Sequence, residues 1–215
     1  MFANDTEFLT RALNITGAKT LVELGGWNGT LAHQILDQNP DIDYHLYEGA
    51  IDLAKSIVPR NNLYVHNNVV CLPVHYRLKM AVHNGTTLDA SVFGPANKWL
   101  LSGPFLSPFD LLRKHDLSQA VFKTNIEGVD LDILNIVLRT DTKPRAYLLE
   151  IFGCLRETFF NLYWPDLARL YRLDPTEFTD REGKVIHLGM FDHFYFWWEG
   201  GGGDIDRAQS ISPHY

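Results

Sequence analysis

Two short segments of the chain hold side chains of the kinds that bind ligands and move protons. In the first, Leu21-Val-Glu-Leu-Gly-Gly-Trp-Asn-Gly29, an acid (Glu23) precedes a turn in which Gly25 and Gly29 flank Gly26, Trp27 and Asn28. Glycines suit a sharp bend, and they suit a ligand that must come close to the N-terminus of the helix that follows. A dinucleotide loop would read Gly-x-Gly-x-x-Gly; here Trp27 fills the middle position, which works against a pyrophosphate lying on the backbone. An acid just before the glycines also repels phosphate and attracts a cationic amino group. Glu48 ends the next apolar run, 19 residues after Gly29. A carboxylate there can accept the hydrogens of both ribose hydroxyls. The bland alternative is a tight strand-to-helix turn followed by a solvated strand end.

The second segment is Phe122-Lys-Thr-Asn-Ile-Glu-Gly128. Side chains alternate along a strand, so Lys123, Asn125 and Glu127 should point in one direction as the strand ends. A lysine and a glutamate around an amide can position a hydroxyl nucleophile and take its proton. An internal Lys–Glu pair that only stabilises the turn is the alternative. Glu150 ends a later strand in the same neighbourhood, either in the site or as a capping or solvent-facing carboxylate. Asn67 and Asn68, next to His66, are placed to meet an adenine amine. Taken with the acid-glycine turn, these groups suit S-adenosylmethionine, its ammonium end at Gly25–Gly29 and its ribose at Glu48.

The elements that must position these groups follow from apolar spacing. Phe8, Leu9, Ala12 and Leu13 mark a helix over 5–15, with Asn4 and Glu7 spaced as a capping box. Runs at 19–24, 44–47 and 63–71 read as strands, with helices from Thr30 and over 51–57 between them. The alternation argues for a parallel sheet covered on both faces. Residues 74–93 read as two extended runs around His83-Asn84-Gly85, and 94–107, with Trp99 and Phe105, as a binding loop. Ser107-Pro108 opens a helix to His115, followed by a strand over 120–126, a helix through Leu131–Leu138 and a strand over 146–152. Residues 157–172 read as a helix bent at Pro165. The stretch 176–198 reads as two antiparallel strands around Arg181-Glu-Gly183, the second ending in Trp197-Trp198. Residues 200–215 read as a flexible Gly-rich tail after a single domain over 1–199. The fold expected is a Rossmann-like, doubly wound α/β sheet, mostly parallel, with an antiparallel C-terminal strand.

Bulk properties narrow the function. The 215 residues suffice for one well-buried core, and 46% hydrophobic content is ordinary for a globular chain. A formal charge of −7 argues against gripping long nucleic acid by its phosphates. Cys71 and Cys154 stand far apart without CxxC spacing, which fits reduced thiols in a cytoplasmic protein. No leader pattern and no run of about 20 apolar residues is present, so no membrane partner is expected. The nine histidines include no His-x-x-x-His pair, so no metal is assigned; His187 and His193 read as ordinary positions near the last strands.

The segment Phe122–Gly128 with the following Val-Asp-Leu-Asp-Ile-Leu134 resembles the signature of the FkbM-type methyltransferases, Lys-x-Asp-x-Glu-Gly and then a helix. The turn Glu23–Gly29 is similar to that family's cofactor loop, and Tyr47-Glu48 and Leu148–Glu150 match its strand ends. The resemblance spans 18–152 and implies an O-methyltransferase that uses S-adenosylmethionine on a hydroxyl of a small molecule or sugar. Asn125 departs from the pattern, which has Asp there, and an amide is no base and a poorer metal ligand. Three readings follow: Glu127 or another group supplies the base, the site only orients its substrate, or the chain binds the cofactor as a sensor or scaffold without turnover. A nicotinamide oxidoreductase is disfavoured by the missing glycine.

Overall fold

The computed structural model describes residues 5–73, 103–126, 129–141, 143–152, 158–163, 165 and 191–197. Helix α1 (Asp5–Thr16) buries Phe8, Leu9, Ala12 and Leu13, the i, i+1, i+4, i+5 stripe of an amphipathic helix. Strand β1 (Thr20–Leu24) leads through the glycine turn into α2 (Thr30–Gln38), then β2 (Asp43–Tyr47), α3 (Ile51–Ser56) and β3 (Leu63–His66). A short parallel ribbon, β4 (Val69–Val70) with β5 (Phe105–Leu106), stands apart from the main sheet. Helix α4 (Pro108–Lys114) starts at Ser107, whose hydroxyl accepts the Asp110 N–H at 3.1 Å, with proline at the first helical position. Strand β6 (Ala120–Thr124), helix α5 (Asp130–Arg139) and strand β7 (Ala146–Phe152) follow. A 3-10 turn over Leu117–Gln119, a π-helical turn over Phe159–Tyr163 and strand β8 (Phe191–Trp197) complete the described elements.

The main sheet runs β3-β2-β1-β6-β7-β8, every neighbouring pair parallel except β7 with β8. The expected α/β architecture, with its antiparallel C-terminal strand, is therefore present. Strand order reverses between β1 and β6, and in open α/β sheets the crevice at such a reversal is where ligands bind.

Alternation along the strands sends side chains to two cores. Leu21, Tyr44, Leu46, Val121, Ala146 and Leu148 pack with α1 and α2 on one face. Val22, Leu24, Tyr47, Phe122, Tyr147 and Leu149 pack with α4 and α5 on the other. Both layers are apolar because a parallel sheet sandwiched by helices has no solvent face.

Three expected elements differ. The strand read over 63–71 breaks at Asn67-Asn68: the Asn68 N–H turns back to the His66 carbonyl at 3.0 Å, and the Asn68 side chain donates to Pro104 O at 3.1 Å. The residues beyond the break pair with β5 rather than with β2. Consequently the end of the segment read as a loop over 94–107 contains a strand, Phe105–Leu106. Strand β6 stops at Thr124, two residues short of expectation, because the carboxylate of Asp130 accepts the Ile126 N–H and curls the chain into α5. The hairpin read around His83-Asn84-Gly85, the loop as far as 102, Trp99, Cys154, most of the helix read over 157–172, the strand around Arg181 and the tail 200–215 lie outside the described residues. Among those described, no helix is long and apolar enough to cross a membrane.

Candidate functional site at the carboxyl edge of the sheet

The glycine turn is built by contacts inside the protein. Gly25 takes φ +80° and Gly29 φ +76°, a region that costs a side-chain-bearing residue strain. A Cβ on Gly25 would collide with the backbone carbonyl of Asn125, and one on Gly29 would sit 2.8 Å from Ile57 Cγ2. The Cβ-less sides of both glycines thus face neighbouring protein: they let the β1 and β6 turns touch and let α2 sit against Ile57. The Asn125 N–H donates to Leu24 O at 2.9 Å, and the Gly25 N–H to Tyr47 O at 2.9 Å, so the turn is stitched to strand ends on either side. Asn28 turns its amide oxygen to Thr30, accepting from the N–H at 3.1 Å and the hydroxyl at 2.7 Å, one residue ahead of Gly29, the N-cap of α2.

Glu48 is the centre of the edge. Its carboxylate is 8% exposed and accepts the Trp27 N–H at 2.9 Å on one oxygen and the Ala50 N–H at 2.8 Å on the other. Burial pushes this carboxyl above its ordinary value, with the Glu23 charge adding to the rise, while the N–H groups of Ala50, Trp27 and Gly49 oppose it. Among the described residues no cationic side chain forms a salt bridge with it. Asn67 donates its amide to Glu48 O at 2.9 Å and ties the β3 end to the β2 end. Gly103 reaches the same place, its N–H 3.4 Å from Gly49 O, so the described end of the 94–107 segment lies beside Glu48 and Asn67.

Glu23 and Lys123 are together, but below the edge. They are register partners on β1 and β6 and point to the α1/α2 face. Lys123 Nζ lies 2.9 Å from a Glu23 oxygen, and the Tyr44 hydroxyl donates to the other oxygen at 2.8 Å. Glu23 is 1% exposed and Lys123 5%. Burial and the adjacent Glu23 carboxylate hold the Tyr44 hydroxyl well above its usual range. Lys123 was expected to share the edge with Asn125 and Glu127; the register of β6 on β1 instead engages its ammonium with Glu23. Asn125 itself is half-buried, at the turn that touches Gly25. Glu127 and Gly128 lie outside the described residues, and of Glu150 only the strand position, opposite His193 on β8, is described.

Asp130 is a site residue that sequence reasoning passed over. Its carboxylate, 3% exposed, shapes the second turn through the Ile126 N–H. The available signal was an acid in the first turn of a helix, two residues after Gly128.

A layer of rings lies behind the edge on the other face of β2 and β3. The Tyr64 ring lies parallel to that of His45 and the Tyr47 ring to that of His66, with centroids 4.8 and 4.4 Å apart. His45 Nδ1 and His66 Nε2 are 3.1 Å apart, and the Tyr47 hydroxyl is 2.8 Å from His115 Nε2. Burial, the neighbouring imidazoles and Lys114 push His66 and His115 down to about 4; burial also lowers His45, with Asp43 opposing. The three rings are therefore neutral at pH 7. No three histidine, cysteine, aspartate or glutamate side chains among the described residues are arranged to hold a metal ion.

No protein-family model matches the chain, and no curated protein matches it either. Among solved structures it is similar to the mitomycin 7-O-methyltransferase MmcR, at 17% identity and a TM-score of 0.32. The match covers 68% of this chain and 35% of that one, so the chain spans about a third of the length of that structure.

Proposed function

We propose that the carboxyl edge binds S-adenosylmethionine and that the protein transfers its methyl group to a hydroxyl oxygen of a small molecule or sugar. The observation that carries this reading is Glu48, a nearly buried carboxylate at the switch-point edge, held by backbone N–H groups and without a cationic side chain in salt-bridge contact among the described residues. Such a group favours a ligand that brings positive charge and hydroxyl donors, and it disfavours a phosphate. The backbone N–H groups of Trp27, Ala50 and Gly49 do not exhaust the acceptor positions of the carboxylate, which keeps capacity to accept from a ribose hydroxyl. The loop Gly25–Gly29 would take the amino-acid end and Asn67 and Asn68 the adenine side. Glu23, just before this loop, ties β1 to β6 through Lys123 and to β2 through Tyr44.

When bound, the cofactor would supply an electrophilic sulfonium methyl, and the acceptor oxygen that takes it would have to give up its proton. The residues' part is alignment, which can supply much of the acceleration of an in-line displacement. Asn125 would orient the acceptor hydroxyl, and Glu127 is the candidate to receive its proton. A second reading, cofactor binding without turnover, is favoured by Asn125 itself, since its amide cannot take a proton. We expect the protein to inhabit the cytoplasm.

Isothermal titration with S-adenosylmethionine and S-adenosylhomocysteine, beside Glu48→Ala, tests the cofactor. Micromolar-range binding lost in the variant is expected; no binding to either ligand sinks both readings. Methyl transfer to a panel of hydroxyl acceptors, with wild type and Asn125→Asp, then separates them. Turnover that appears only in Asn125→Asp, at unchanged cofactor affinity, would identify a binding protein that has lost catalysis.

A further inference from the structure

The geometry points to Trp27 as a cation-recognition side chain: its indole packs on the sulfonium end of the cofactor and makes the site prefer S-adenosylmethionine over its neutral thioether product. This rests on the cofactor reading above. Trp27 has φ +49°, a left-handed conformation that an L side chain rarely adopts and a bulky aromatic adopts least readily. A glycine would sit there without strain, so the turn does not itself require an indole. Strain of this kind persists where surroundings enforce it, and it gathers at ligand sites. The enforcing contact is the Trp27 N–H on the Glu48 carboxylate at 2.9 Å. Held so, the side chain is 54% exposed, although it is the largest apolar group of the loop. Gly25, Gly26 and Gly29 bring no side chain to the loop, and the Asn28 amide oxygen accepts from Thr30.

Charge completes the argument. An indole face is the best aromatic partner for a cation. Here the backbone N–H of the same residue, Trp27, is bonded to a buried carboxylate with no salt-bridge partner among the described residues. In the cofactor, the sulfonium is separated from the amino-acid carbon only by a short aliphatic chain, so a loop that holds the ammonium end has the sulfonium near at hand. Loss of the methyl removes that charge, and with it the attraction to the ring.

Titration of both ligands into wild type, Trp27→Gly, Trp27→Leu and Trp27→Phe, with a melting curve for each, tests the assignment. Trp27→Gly should melt at the wild-type temperature or higher, because the strain is gone. It should bind S-adenosylmethionine roughly threefold to thirtyfold more weakly while S-adenosylhomocysteine changes little. Trp27→Leu, apolar without a π face, should lose the same preference, and Trp27→Phe should keep part of it. Equal weakening of both ligands in the glycine and leucine variants overturns the assignment, as does a melting temperature that falls with affinity. Wild type binding both ligands with all three variants unchanged overturns this assignment alone. Wild type binding neither overturns the cofactor reading and this with it.

Discussion

An ammonium and a carboxylate lose their hydration on burial, and Glu23 and Lys123 recover part of it from one another, with Tyr44 donating a further hydrogen bond to Glu23. Such a pair contributes little net stability, but removing one partner strands the other charge in the core. Lys123→Met should therefore cost about 3–5 kcal/mol in urea unfolding. Adding Glu23→Leu should return most of that loss; a double variant no more stable than the single would refute the pairing. Glu48 is the converse case, a carboxylate whose partners are backbone. Glu48→Ala leaves the Trp27 and Ala50 N–H groups without their acceptor, at about 1–3 kcal/mol for a buried donor. Hydrogen exchange should show the Trp27 amide deprotected while those of Leu21–Leu24 keep their wild-type rates. Uniform deprotection would mean that Glu48 supports the whole fold rather than the loop.

At the scale of elements, β2, β3 and the end of α4 carry an acid-sensitive layer. His66 and His115 titrate at about 4 in the folded protein, below the ordinary 6.5 of the unfolded chain. Between those values the unfolded chain binds more protons, so stability rises with pH. There is no penalty above pH 6.5; it grows as pH falls toward 4 and levels off below. The melting temperature of wild type should fall between pH 7 and 5, and that of His66→Gln should fall less over the same interval. Parallel curves for the two proteins would exclude His66 from the effect. These strands were legible because parallel strands under helices read as short apolar runs between glycines and prolines, and β1, β2, β6 and β7 all show that pattern. The break at Asn67-Asn68 was not, because its cause is Pro104, a carbonyl distant in sequence. Nor was the Glu23–Lys123 pair: each residue's face was readable from alternation, but their contact depends on β6 lying next to β1, which spacing does not specify.

For the whole molecule, the two cores meet the candidate site from opposite sides. One holds α1 and α2 beneath the glycine loop, and the other holds α4 and α5 beneath the second turn. The turns are joined where Gly25 meets the Asn125 carbonyl and Asn125 N–H meets Leu24 O. A ligand seated across that junction touches parts of both cores, so its binding energy resists unfolding of the entire sheet rather than of one loop. A ligand that binds only the folded chain stabilises it by about 2.7 kcal/mol at a hundred times its dissociation constant. For a chain of this size each kcal/mol raises the melting temperature by about 2–4 °C, so a rise of about 5–11 °C is expected with S-adenosylmethionine. Nicotinamide dinucleotide at equal concentration should give none, because its pyrophosphate would face the Glu48 carboxylate and the Trp27 ring. The melting curve should stay a single transition, since both cores share one sheet. A rise with the dinucleotide and none with S-adenosylmethionine would assign the edge to hydride transfer. Two separate transitions in the liganded protein would show that the junction at Gly25 does not couple the cores.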